Sequence, residues 1–258
     1  MLERPAVRSL VTVFLSTLLL PSLVHADLPD TIARIKPSVV IVGTFRATDS
    51  PRFQMRGTGF AVVDGNQVVT NLHVLPDGAE GTDGAQLVVQ VPRAGGTWQM
   101  RNATLLERDP VHDLALLQID GVAIGAVTLK DSETVREGQS VAFMGFPIGG
   151  ALGFSPVTHR ATVSSITAAA LPTSTAGQLN EKAIRSLRAG PFNIFQLDGT
   201  AYPGNSGGPL FDPDSGAVVG VVNMVFLKGT RESALTNPSG ISYAIPSRYV
   251  VDLLQRTR

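Results

Sequence analysis

Short runs of Val, Leu, Ile and Thr recur along the chain, each bounded by Gly, Asp, Asn or Pro, and most are too short to complete a helix but long enough for a strand. One set predicts strands over Val39–Val42, Gly59–Val63, Gln67–Thr70, Gln86–Val91, Trp98–Leu105 and Leu114–Ile119. A second set predicts Ser140–Met144, His159–Ile166, Phe192–Gln196, Pro209–Phe211, Ala217–Val225 and Ile241–Ala244. Even spacing, turn residues between the runs and no long helical period point to an all-β chain of two antiparallel barrels, not to alternating βαβ units. The break near Asp131–Gly138 divides the chain into an N-terminal barrel over about 37–132 and a C-terminal barrel over about 138–246. Two short helices are expected at the ends. Asp30–Lys36 carries Ile32 and Ile35 on one side and must stop before Pro37. Ser247–Gln255, running to about 257, has Ser247 as N-cap and Val250, Val251 and Leu254 facing inward. Ala168–Gly190 breaks the strand pattern: its Leu-Asn-Glu-Lys-Ala-Ile-Arg segment allows a short helix in a long loop, placed either to overhang a cleft or to lie idle in solvent.

The 258 residues are 43% hydrophobic and 16% charged, ample for a sizeable core. Formal net charge is zero and there is no basic run, which argues against nucleic acid as a partner. The N-terminus has the parts of a secretory leader: Arg4 and Arg8, an apolar run from Leu10 to Leu20, Pro21, then Val24-His25-Ala26. Cleavage after Ala26 would remove 1–26 and leave a domain over 27–258. The apolar run falls short of the ~20 residues that span a bilayer, so no stable membrane insertion is expected after cleavage. With no cysteine, an exported domain must be held by packing alone, which favours a periplasm or cell envelope over a disulfide-forming secretory route.

Chemistry concentrates in Pro203-Gly204-Asn205-Ser206-Gly207-Gly208-Pro209-Leu210, a serine set in a glycine-rich bend. A serine hydroxyl is a poor nucleophile unless a base takes its proton and a third group orients the base. His73, in Thr-Asn-Leu-His-Val, and Asp113, in Val-His-Asp-Leu-Ala-Leu-Leu, supply both. Their order His, Asp, Ser is that of the chymotrypsin arrangement, not of subtilisin or the α/β-hydrolases. Taken singly, a glycine turn, a histidine among apolar residues and an aspartate before a strand are commonplace; the three together are hard to produce by chance. His112 adjoins Asp113, but alternation along an extended strand would send the two side chains to opposite faces. Asp109 is an alternative orienter, set before Pro110 in a turn-like context. His159 reads as a surface or loop residue. No second His or carboxylate accompanies it at metal-ligand spacing, so neither metal nor other cofactor is expected.

Gly57-Thr58-Gly59-Phe60, Thr70-Asn71-Leu72-His73-Val74, Asp113-Leu114-Ala115-Leu116-Leu117, Gly145-Phe146-Pro147-Ile148-Gly149, Gly204-Asn205-Ser206-Gly207-Gly208-Pro209-Leu210 and Ala244-Ile245-Pro246-Ser247 resemble the trypsin-like serine peptidases of the HtrA/Deg type. The resemblance runs over about residues 30–257 and implies a chymotrypsin-like pair of six-stranded barrels with a cleft between them. It implies Ser206 as nucleophile, His73 as base and then acid, Asp113 as orienter, and the N–H groups of Gly204 and Ser206 as oxyanion donors. A specificity pocket would be lined by Thr200, Ala201 and Tyr202 on one side and by Val222, Asn223 and Met224 on the other. With no acidic residue among these six, small or medium apolar side chains are expected before the cut, and not Lys or Arg. With the last expected helix at the end of this sequence, no PDZ domain of the kind many members carry is expected, and Tyr202 stands where the family usually has a smaller residue. No aromatic precedes Phe45 in the mature segment, where members use aromatic contacts to trimerise, so the oligomeric state stays open, a trimer included. Two functions compete: a serine endopeptidase acting on polypeptide substrates such as unfolded or damaged envelope proteins, and an idle or latent peptidase-fold protein serving as a binding or chaperone-like module.

Overall fold

The computed structural model describes residues 27–76, 84–150, 153–169, 191–224 and 240–257. The leader expected at 1–26, the helical segment expected within 168–190, the last residue of the strand expected to reach Val225 and part of the loop after Phe146 lie outside them. Two closed antiparallel barrels of six strands each make the molecule. The first contains β1 (Val39–Phe45), β2 (Phe53–Val62), β3 (Gln67–Asn71), β4 (Gln86–Pro92), β5 (Trp98–Asp109) and β6 (Leu114–Ile119), closed in the order β1-β2-β3-β6-β5-β4. The second contains β7 (Ser140–Gly145), β8 (Val157–Ala168), β9 (Asn193–Leu197), β10 (Pro209–Phe211), β11 (Val218–Asn223) and β12 (Ser242–Pro246), closed as β10-β11-β12-β9-β8-β7. Helix α1 (Leu28–Ile35) precedes the first barrel and α2 (Ser247–Gln255) follows the second.

Near-continuous apolar strands arise because both strand faces are buried where the barrels meet. Val40, Val42, Val68, Val89, Ala115 and Leu117 pack inside the first barrel, while the alternate residues Val39, Ile41, Val69, Leu114 and Leu116 face the second. In the second barrel Val141, Phe143 and Val163 point inward, and Ala142, Met144, Phe211 and Val221 complete the seam. The connecting chain is tied to both: Val127 N–H donates to Ala61 O at 2.9 Å, and Val218 N–H to Thr128 O at 2.8 Å. The seam is therefore a single core shared by two barrels, and side chains brought to its rim from either half are held against each other.

The ends differ from expectation in instructive ways. Ser247 is the first residue of α2, not its cap; its hydroxyl donates to Lys130 O at 2.6 Å across the fold. The buried face of α2 is Tyr249, Val250 and Leu253, with Val251 exposed and Leu254 only partly buried. β2 begins at Phe53 rather than Gly59, because its first half alternates between partly covered and exposed side chains and lacks an apolar run.

The link from Asp109 to Asp113 is a turn, not strand, so the alternation argument for His112 does not hold there. Asp109 is 2% exposed; its Oδ1 accepts from Val111 N–H at 3.0 Å and His112 N–H at 3.1 Å. Its Oδ2 pairs with His112 Nδ1 at 2.8 Å and with Arg256 Nη2 at 3.1 Å. Burial alone would raise this carboxyl, but the hydrogen bonds from His112 and the charges of His112 and Arg256 outweigh it and lower it from 3.8 to about 2. A folded value below the unfolded one stabilises the protein above the unfolded value and is lost as the pH falls. Asp109 should thus contribute about 2 kcal/mol that disappears between about pH 4 and about pH 2. Urea unfolding across that window checks this: the stability gap between wild type and Asp109→Asn should close as the pH falls.

Candidate active site

Ser206 is delivered by a sharp turn. Asn205 N–H donates to Tyr202 O at 2.9 Å, with Pro203 and Gly204 between and Gly204 at φ +104°, the signature of a type II turn. A Cβ at 204 would lie 2.2 Å from Phe146 O, so only glycine fits. The turn is stitched to the first barrel: Thr58 N–H donates to Ser206 O at 2.9 Å and Thr58 Oγ1 to Gly204 O at 2.6 Å. On the other side Gly207 N–H donates to Val222 O at 2.9 Å, so the serine is threaded between β2 and β11. Among the described residues neither Gly204 N–H nor Ser206 N–H has an acceptor, which leaves two donors for a ligand oxygen. Asn205 is fully buried with neither side-chain polar atom paired among the described residues.

His73 sits in a single 3₁₀ turn, Leu72–Val74, at the end of β3. Arg56 steadies that turn, donating from Nε to Val74 O at 2.6 Å and from Nη2 to Leu75 O at 3.1 Å. Asp113 precedes β6 in the left-handed region, φ +55°, a conformation aspartate tolerates better than most side chains. Its carbonyl accepts from Leu72 N–H and from Asn71 Nδ2, both at 3.0 Å. Its carboxylate meets His73 twice, Oδ1 with the backbone N–H at 3.0 Å and Oδ2 with Nδ1 at 2.5 Å, and Oδ2 also accepts from Asn223 Nδ2 at 2.8 Å. With every contact to that carboxylate a donor, Nδ1 carries the proton and Nε2 is left as the basic nitrogen.

Sequence placed these three residues far apart, and the seam brings them together. Asn223 touches Asp113, and the next residue, Met224, donates its N–H to Ser206 Oγ at 3.3 Å. No hydrogen bond joins Ser206 to His73 among the described residues; the serine hydroxyl rests on Met224 instead.

Against this geometry, residues 57–221 match the family of the trypsin-like peptidase domain. The chain belongs to the trypsin-like peptidase family, in its HtrA/Deg branch. A relative from Halomonas elongata named "Probable periplasmic serine endoprotease DegP-like" is 31% identical over 202 residues, covering 78% of this chain and 35% of its own length. One of the same name from Brucella suis biovar 1 is 33% identical over 209 residues, covering 77% and 33%. The chain thus spans about a third of the length of these curated relatives. Among solved structures, Deg5 superposes with TM-score 0.62 at 25% identity, covering 87% of this chain and 90% of that one. The HtrA-type protease AlgW with a tripeptide gives 0.63 at 25%, covering 89% and 62%.

Of the expected pocket residues, Ala201 and Val222 are buried within the second barrel's core and Met224 packs against it, while Thr200 and Tyr202 are half-buried. Asn223 turns its amide to Asp113, a contact with no local signal in sequence. Thr58 and Asn71 are further site residues, carried by the motifs Gly-Thr-Gly and Thr-Asn-Leu-His, and nothing local in those motifs signals their contacts with Gly204 and Asp113. His159 lies within β8, not on a surface loop: its ring stacks on Phe143 at 4.7 Å and approaches Tyr202 at 6.3 Å. Burial lowers its pKa, favouring the neutral ring. Among the described residues no cluster of three or more His, Asp or Glu is arranged to hold a metal, and no helix is long and apolar enough to cross a membrane.

Proposed function

We propose that the chain is an exported serine endopeptidase that cleaves polypeptides with Ser206 as nucleophile, His73 as general base and acid, and Asp113 as orienter. The His73–Asp113 pair at 2.5 Å, linked through Asn223 and Met224 to a serine whose turn has two uncommitted N–H groups, carries this reading. Ser206 Oγ attacks the scissile carbonyl as its proton passes to His73 Nε2. Asp113 holds the tautomer and stabilises the imidazolium. The developing oxyanion is taken by Gly204 and Ser206 N–H, and His73 returns the proton to the leaving amine. Water then repeats the sequence on the acyl-enzyme.

Unfolded or damaged envelope proteins are the substrate class. The secretory leader at 1–26 and the periplasmic endoproteases among the relatives support this and a periplasmic or secreted location for the domain over 27–258. A second reading, a latent peptidase awaiting an activator, is favoured by the serine hydroxyl resting on Met224 N–H instead of His73.

Mass analysis after a fluorophosphonate probe tests the first reading. One adduct, mapped to Ser206, and casein degradation without additives are expected; no adduct in folded protein until unfolded substrate is added favours the latent form, and no adduct even then sinks both. Gly204→Ala, which forces a Cβ onto Phe146 O in a left-handed backbone, should lower turnover by ~10²- to 10³-fold in a casein assay by displacing one oxyanion donor. A peptide-library profile should show cleavage after small or medium apolar residues; a preference for Lys or Arg would overturn that expectation.

A further inference from the structure

Arg256 and Tyr249, at the far end of the chain, reach the turn that presents Asp113. Tyr249 of α2 stacks on His112 with ring centres 3.8 Å apart and planes at 18°, and Phe192 meets the same imidazole edge-on at 4.7 Å. Arg256, just beyond α2, donates to Asp109 Oδ2 at 3.1 Å. Asp109 in turn dictates the path of the chain toward Asp113, because its Oδ1 accepts from the Val111 and His112 amides. The carbonyl of Asp113 is fixed independently by Asn71 and Leu72. Between these two anchored points lie only ψ of His112 and the φ and ψ of Asp113, itself held in the left-handed region, so a rotation of the Asp109 turn is passed to the backbone that aims the Asp113 side chain.

We propose that Asp109, held by His112 and by Arg256, is a positioning residue for the Asp113 carboxylate, and that the C-terminal helix is thereby part of the apparatus that orients His73. The inference rests on the assignment of His73, Asp113 and Ser206 as the reacting groups. Its mechanical content is that the helix closing the second barrel sets the aim of a carboxylate on the first. Among the described residues Ser206, Gly204 and the expected pocket residues other than Asn223 make no hydrogen bond with this network, so its loss should weaken the chemical step and leave KM unchanged.

The test reads the His73–Asp113 hydrogen bond directly. The Nδ1 proton shared at 2.5 Å should give a far-downfield proton NMR resonance, assigned by its disappearance in His73→Ala. In Asp109→Ala this resonance should move or broaden, kcat should fall about tenfold to a hundredfold with KM unchanged, and the acidic limb of the pH–kcat profile should shift to lower pH as the imidazolium loses its partner. Asp109→Asn, which keeps an oxygen for the two amides but sets an NH₂ against Arg256 Nη2, should recover only part of the rate lost in Asp109→Ala. Arg256→Ala, a change at a half-exposed side chain, should give an intermediate effect and serves if Asp109→Ala does not fold. A wild-type resonance and pH profile in folded Asp109→Ala or Arg256→Ala protein would overturn the proposal, as would lost activity that tracks lost active-site titre alone. Wild-type protein that shows the resonance but never acylates with a fluorophosphonate would sink the peptidase reading, and the resonance would still decide whether Asp109 positions Asp113.

Discussion

Ser206→Ala should abolish turnover of casein by about a millionfold while leaving the fold untouched. The serine hydroxyl has one hydrogen bond among the described residues, the 3.3 Å contact from Met224 N–H, so its removal should alter the melting temperature little. What holds Ser206 in place is its backbone, bonded through its carbonyl to Thr58, and alanine retains that bond. The residual activity over water should come from the Gly204 and Ser206 amides. Active-site titration together with a thermal melt checks both halves; a large fall in melting temperature would mean that the hydroxyl holds the seam together.

Asp113→Asn is expected to lower kcat by ~10⁴-fold without disturbing the packing. Oδ2 of Asp113 faces His73 Nδ1 and Asn223 Nδ2, and Oδ1 faces the His73 backbone N–H. An asparagine must turn its NH₂ toward one of these. If it faces Nδ1, the ring carries its proton on Nε2 and cannot accept one from Ser206. If it faces the His73 amide, two donors oppose each other in a site where Asp113 is 7% exposed, and the His73 turn must shift. Either way the base is lost. A pH–rate profile comparing Asp113→Asn with wild type checks this, with partial recovery expected at alkaline pH, where deprotonated imidazole or hydroxide can take over. Equal rates at neutral pH would remove Asp113 from the mechanism.

The nucleophile turn was legible in sequence because its requirements are local: a type II turn against Phe146 O admits only glycine at 204, and Pro-Gly-Asn-Ser-Gly-Gly announces it. The strands were legible where both faces are buried, as in Val39–Val42, and illegible where one face meets solvent, as in Phe53–Arg56. The buried face of α2 was misread because Tyr249 is drawn inward by His112 and Phe192, partners more than fifty residues away in the chain. Pairing of His112 with Asp109 depends on the turn over 110–113, which the sequence pattern does not distinguish from the start of the following strand. Asn223 is the plainest case of a functional contact set by tertiary structure: the family resemblance implied a pocket wall there, and only closure of the seam turns its amide onto Asp113.

The division of the site between the barrels also bears on how the chain is made. His73 and Asp113 belong to the half synthesised first, whereas Ser206, Gly204 and Asn223 emerge with the second. Until the second barrel is present to close the seam, His73 and Asp113 are a base and its orienter with nothing to activate. A chain broken off before its last barrel therefore lacks the nucleophile and both oxyanion donors, and no cleavage chemistry can precede completion of the polypeptide.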